Sequence, residues 1–487
     1  MSELVDQVRL LGPAATPGAI IAVLLVLIVL WGASTRRLRA RTHFFMLFAA
    51  LLVTVVLRFG VDVVWRPVAD GFGWIVWAWT GAVLLVVEEA IAACALGSAR
   101  SLGSARSLGS ARALGSAHAL GSAHARRGRA ADEGPRARPF LRLIGALAAV
   151  MFAAGAAGVG LNAHYAAYYT LGSALGLGLE AEPLADSGLD PSASGTPITP
   201  DSAAEGTSNA PLETEWTAPD SMPASGKLLT APVPASDPVF RPRDAWIYVP
   251  PAALVDAAPK LPLLVLMAGQ PGEPKQWFTA GRLKESMDAW AGAHAGLAPI
   301  VLVVDPLGSA LANPLCSDAV DGRVATYIEK DVPAWAAAHL PVSGDHARWA
   351  IGGLSNGGTC TLQVVARSSE SPVYRSFLSM SSELHPSLGS VERTIAEGFG
   401  GDRAAYEAND PLALFSKNRY SGVAGILSVG AEDSGYRPGV EDLAAAAKRA
   451  GLEVELRTYP GGHSWSVWSQ ALPDQLDWLG RRLGLTA

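Results

Sequence analysis

The first 165 residues contain four stretches that are almost wholly apolar, and each has the ~20 residues a helix needs to cross a bilayer. They run approximately Ala14–Ala33, Phe44–Trp65, Phe72–Leu96 and Phe140–Leu161. A chain that enters lipid must satisfy its backbone internally, so these stretches are expected to be helices. Arg58 and Asp62, four residues apart in the second stretch, are placed to pair on one helical face. Glu88 and Glu89 end the third stretch, and all four charges read as paired or interfacial.

Loop charges orient the spans. The first loop carries Arg36, Arg37, Arg39 and Arg41, and the third carries eight arginines from Arg100 to Arg138, whereas the second, RPVADGFG, is nearly neutral. The positive-inside rule puts loops one and three in the cytoplasm, so the chain after the fourth span is expected outside it. The expected location is the cell membrane, multi-pass, with an extracytoplasmic catalytic domain.

Two low-complexity stretches divide the rest. From Leu96 to Ala125 a six-residue unit repeats as LGSARS, LGSARS, LGSARA, LGSAHA, LGSAHA, read as a basic flexible loop over 96–138. His118 and His124 within it have no cysteine or acidic partner, so no metal site is expected. Residues 166–226, richest in Pro, Ser, Gly, Thr and Ala from Glu180 to Ala224, read as a flexible tether. The expected division is therefore a membrane region, 1–165, the tether, and a catalytic domain, 227–487. Net charge is −6, which argues against a nucleic-acid partner.

From Lys227 onward short apolar runs alternate with amphipathic ones. Candidate strands are 245–249, 261–268, 299–304, 347–353, 374–380, 425–430 and 453–459. Candidate helices are Gly281–Ala295, Arg323–Leu340, Thr359–Ser368, Gly439–Gly451 and Ser466–Gly484. This alternation predicts an α/β fold, a mostly parallel sheet with helices on both faces, whose ligand site lies beyond the carboxyl ends of the strands.

One motif falls at such an end. Gly353-Leu354-Ser355-Asn356-Gly357 is G-x-S-x-G between a predicted strand and a predicted helix, the context of a nucleophile elbow. Only His385 and His463 follow Ser355 in the chain. His463, in PGGHSW between the last strand and the last helix, is the expected general base; His385 reads as a surface or substrate-side residue. The acid is expected in the loop after GILSVG, as Asp433, with Glu432 in reserve. Its task is to hold the imidazole tautomer and stabilise the imidazolium. Oxyanion donors are expected from the N–H groups of Asn356 and of Gln270, because Pro271 has none. Trp277 and Trp465 are candidates to line an acyl pocket, or else to pack as its rim.

MAGQPGEPKQWF, NPLCSDAVDGRVATYIEKDVPAW, GGLSNGGTC, SVGAED and PGGHSW together resemble the esterase D group of α/β-hydrolases, which includes antigen 85-like proteins. Four spans ahead of such a domain resemble membrane-anchored esterases of actinobacteria. The resemblance implies a serine carboxylic-ester hydrolase or acyltransferase without cofactor. Its substrate is a small-molecule or lipid ester, and membrane proximity suggests a cell-envelope acyl ester. Cys316 and Cys360, outside the cytoplasm, are either a disulfide pair or two buried thiols. The alternative readings are an inactive hydrolase-fold binding module and an accessory domain on a transporter or sensor.

Overall fold

A computed structural model describes residues 10–11, 15–35, 40–65, 68, 71–112, 137–177, 179–189 and 210–487. The chain forms two compact units, one from Leu10–Trp65 with Gly71–His164, the other from Tyr165–Ala487.

Among the described residues the first unit has four helices, α1 (Ala15–Thr35), α2 (Ala40–Arg58, continued as a π-turn over Phe59–Trp65), α3 (Trp74–Arg112) and α4 (Ala137–Tyr165). Small residues let them approach: Ala19, Ala90, Ala153 and Ala157 are buried together with Val23, Leu30, Trp79 and Val86. Phe44, Phe45, Phe48 and Leu51 instead point outward, as lipid-facing side chains do. Asp62 is paired with Arg58 at 3.6 Å, as expected, and also accepts the Trp77 indole N–H at 2.8 Å.

Among the described residues three helical segments, Arg41–Trp65, Trp74–Ala92 and Leu143–Tyr165, are long and apolar enough to cross a membrane, and Ala15–Trp31 is a shorter apolar helix, so four spans are not confirmed. Nor does the repeat begin as a loop, because α3 continues through its first copies to Arg112. Ala, Leu and Arg in each copy favour helix strongly enough to carry its glycine. The later repeats, with His118 and His124, lie outside the described residues, as do Arg36, Arg37 and Arg39.

The second unit is built on a nine-stranded sheet. Its strands are β1 (Glu182–Pro183), β2 (Lys227–Ala231), β3 (Ala245–Val249), β4 (Leu263–Met267), β5 (Ile300–Val304), β6 (Trp349–Leu354), β7 (Ser376–Met380), β8 (Ala424–Gly430) and β9 (Glu453–Tyr459). The order is β1-β2-β3-β5-β4-β6-β7-β8-β9, and among these strands β3 alone runs antiparallel to its neighbours. Every residue of β4 to β8 is buried, which is why these strands read as unbroken apolar runs rather than alternating ones. The edge strand β9 carries exposed Glu453 and Glu455, charges that discourage further pairing.

Helices α5 (Leu283–Ala293), α6 (Val332–His339), α7 (Asn356–Arg367), α8 (Pro411–Lys417), α9 (Arg437–Ala450) and α10 (Trp465–Arg482) flank the sheet. The whole is an α/β-hydrolase fold with a mostly parallel sheet.

The segment expected to be a free tether is partly built into this unit. β1 pairs in parallel with β2, Glu182 opposite Leu229 and Pro183 opposite Thr230. Leu212 and Glu213 donate backbone N–H groups to the carbonyls of Gly484 and Leu485. Backbone groups of sheet edge and chain end recruit these polar residues, so their composition is a poor guide. The remaining part, 190–209, lies outside the described residues.

Candidate active site

Strand β6 stops at Leu354, and the chain turns through Ser355 into α7. Ser355 has φ 52° and ψ −120°, a conformation that costs an L-residue energy and marks a strained turn. The flanking glycines make the turn possible. A Cβ at Gly353 would stand 2.3 Å from the Gly357 carbonyl oxygen, and one at Gly357 would stand 2.5 Å from that of Met267. The Ser355 N–H donates to the Met380 carbonyl at 2.8 Å, fixing the elbow to β7.

Two loops bring the partners. His463, just before α10, has Nε2 2.9 Å from Ser355 Oγ. Its Nδ1 lies 2.9 Å from Asp433 Oδ2, in the loop after β8. Asp433 is 4% exposed, and its other oxygen accepts the Tyr436 N–H at 3.3 Å. With Nδ1–H donated to Asp433, His463 Nε2 is left to accept the serine proton. Glu432 does something else: exposed, it accepts the Gly461 N–H and ties the two loops together. The reserve acid is therefore a loop clamp, one residue away from the carboxylate that reaches the imidazole.

The expected oxyanion residues come to the same place. Asn356 opens α7, so its N–H has no partner within the helix. Gly269 packs on the nucleophile, since a Cβ there would meet Ser355 Cβ at 2.9 Å; Gln270 follows directly. The Gln270 side chain donates to the Leu311 carbonyl at 2.7 Å. Arg243 supports this loop from below: its Nη2 donates to the Gly272 carbonyl at 2.9 Å while its guanidinium pairs with buried Asp305 at 2.7 Å.

Trp277 and Trp465, expected either to line a pocket or to pack, are packed on one another. They meet edge to face at 5.6 Å and are 0% and 5% exposed. Large aromatic faces gain more from mutual burial than from the rim. What borders His463 was missed: Tyr436 stacks on its ring at 3.9 Å, and Trp468 meets it edge-on at 5.0 Å. Tyr436 stands three residues after Asp433 in the acid loop, a spacing that offered the only sequence signal.

His385 is not part of this line. Its Nδ1 lies 2.9 Å from Asp410 Oδ2, and that hydrogen bond raises its pKa above the ordinary 6.5. Cys316 and Cys360 form a disulfide, Cα to Cα 5.4 Å, the first of the two alternatives left open above. Next to Cys316, Asn313 accepts the Asn356 side-chain amide at 3.2 Å and donates to the Ser387 carbonyl at 3.0 Å.

A family model described as "Putative esterase" matches residues 239–479. An uncharacterized protein of Corynebacterium glutamicum is 38% identical over 252 residues, 50% of this chain and 59% of the relative. The chain thus spans less than two thirds of that curated relative. A ferulic acid esterase structure is similar over 53% of this chain and 98% of its own, at 19% identity and TM-score 0.44. An S-formylglutathione hydrolase from Agrobacterium tumefaciens is similar over 55% and 100%, also at 19% identity and TM-score 0.44.

Proposed function

This chain belongs to the esterase family through residues 239–479, and from that premise we propose that it is a serine carboxylic-ester hydrolase or acyltransferase anchored in a membrane. The observation that carries the reading is the unbroken line from Ser355 Oγ through His463 to Asp433, two contacts of 2.9 Å each.

Ser355 Oγ attacks the ester carbonyl as its proton passes to His463 Nε2. Asp433 holds the tautomer and stabilises the imidazolium without taking the proton. The tetrahedral oxyanion is received by the N–H groups of Asn356 and Gln270, each worth ~10²–10³ in rate. The His463 proton then goes to the leaving alkoxide and an acyl-serine remains. A water, or an envelope hydroxyl, attacks that acyl group, gives its proton to His463, and releases acid or transferred ester with Ser355 restored. The three apolar helical segments support anchoring, and the arginine-rich loops support an extracytoplasmic site.

The test is hydrolysis of p-nitrophenyl esters of graded chain length by the full chain in detergent, beside Ser355→Ala. Hydrolysis lost in the variant supports the reading. Equal rates in both proteins would remove Ser355 from the chemistry.

A further inference from the structure

From Tyr165 to Leu179 the sequence is YAAYYTLGSALGLGL, without one charged residue. It begins where the last candidate membrane span, Leu143–Tyr165, ends. Far from being loose, it is fastened to the hydrolase unit. Tyr169 OH lies 2.9 Å from Ser469 Oγ on α10. The Arg282 guanidinium lies 5.4 Å from the centre of the Tyr169 ring. Thr170 and Ser173 close a capping box around the short helix Leu171–Ala174. Gly176 sits beside Lys275, whose Nζ would be 3.6 Å from a Cβ built there.

The residues it meets lie on the elements that carry the candidate site. Lys275 is in the loop that starts with Gly269 against Ser355, and Ser469 is on the helix that begins two residues after His463. Arg282 follows Gly281, which packs on Trp465. The segment therefore forms a collar that packs against the first turns of α10 on one side and lies beside Lys275, six residues beyond Gly269, on the other.

Its free surface has a definite chemistry. Leu175 and Leu177 are 61% and 43% exposed, with no partner layer above them among the described residues. Tyr165, Tyr168 and Tyr169 precede them, and Lys275 and Arg282 flank them. Tyrosines followed by exposed leucines and bordered by cations fit the interface of a bilayer with anionic headgroups. A chain leaving a span only four residues before Tyr169 has little length in which to move away from that interface.

We propose that the collar Tyr169–Leu177 rests on the lipid surface and that the substrate is a bilayer-resident acyl ester, which reaches Ser355 from the membrane rather than from water. This rests on the esterase reading above and adds the substrate's physical class to it.

The experiment uses the full chain reconstituted in phosphatidylcholine–phosphatidylglycerol vesicles. It compares 4-methylumbelliferyl oleate dissolved in the bilayer with 4-methylumbelliferyl acetate in the water. In the double variant Leu175→Asp/Leu177→Asp, acetate turnover is unchanged, which also shows that the fold is kept. The oleate-to-acetate ratio falls by at least about ten-fold, as expected when two leucines no longer enter lipid. An unchanged ratio would overturn the collar. A second readout does not need activity: bimane attached at Leu177→Cys, in a Cys94→Ala background, is quenched by nitroxide-labelled phosphatidylcholine if the collar is in the interface. Absence of quenching overturns the proposal. Wild-type protein inert on both esters would instead refute the esterase reading, while quenching still reports on the collar.

Discussion

The ring of Tyr436 stacks on the imidazole of His463, centroids 3.9 Å apart and planes 24° from parallel. With Trp468 meeting the same imidazole edge-on, the ring is held by aromatic contact as well as by its hydrogen bonds. An aromatic pair of this kind is worth roughly 0.5–1.5 kcal/mol, so Tyr436→Ala is expected to lower kcat about three- to ten-fold with little change in KM. Tyr436→Phe keeps the stack and restores the rate. Steady-state kinetics on a soluble ester checks both variants.

The two neighbouring acids are separable by the same assay. Asp433→Asn supports the wrong imidazole tautomer and is expected to cost ~10⁴ in kcat. Glu432→Gln loses only charge from a loop contact, and kcat stays within about ten-fold of wild type. The reverse ranking would make Glu432 the acid.

Arg243 and Asp305 form a pair in which the carboxylate is 1% exposed and also accepts N–H groups from Leu307 and Gly308. Arg243→Met leaves that charge buried without its cation and is expected to cost roughly 3–5 kcal/mol in denaturant unfolding. The loop anchored at Gly272 is released with it, so kcat falls even where the protein remains folded.

Much of this site was legible beforehand, for identifiable reasons. Ser355 and Asp433 occupy loops after buried apolar strands, which are distinctive in sequence. His463 instead follows the partly exposed edge strand β9 and was legible from chain order and its place between the last strand and the last helix. The edges were harder. β1 has two residues, too few for any periodicity, and its place depends on backbone pairing with Leu229 and Thr230. The collar looked like linker because Tyr169 finds Ser469 three hundred residues away. Trp277 could be read as pocket lining or as rim packing because loop position says where a side chain starts, whereas burial depends on what packs above it.

His385 offers a pH signature outside the catalytic line. Its pKa is raised by the Asp410 hydrogen bond. Protonated His385 therefore stabilises the fold fully below the ordinary value of 6.5, and this contribution is lost as pH rises through the elevated folded value. The stability gap between wild type and His385→Gln is expected to be widest below pH 6.5 and to narrow above it, as unfolding curves across pH would show. A gap that widens with pH would contradict the pairing.

The most direct test of the central claim is covalent capture by a fluorophosphonate, followed by peptide mass spectrometry. Modification of the peptide bearing Ser355, abolished in Ser355→Ala and strongly slowed in His463→Ala, is the expected result. A folded protein that takes no label, or takes it on another residue, would contradict a serine mechanism at this elbow.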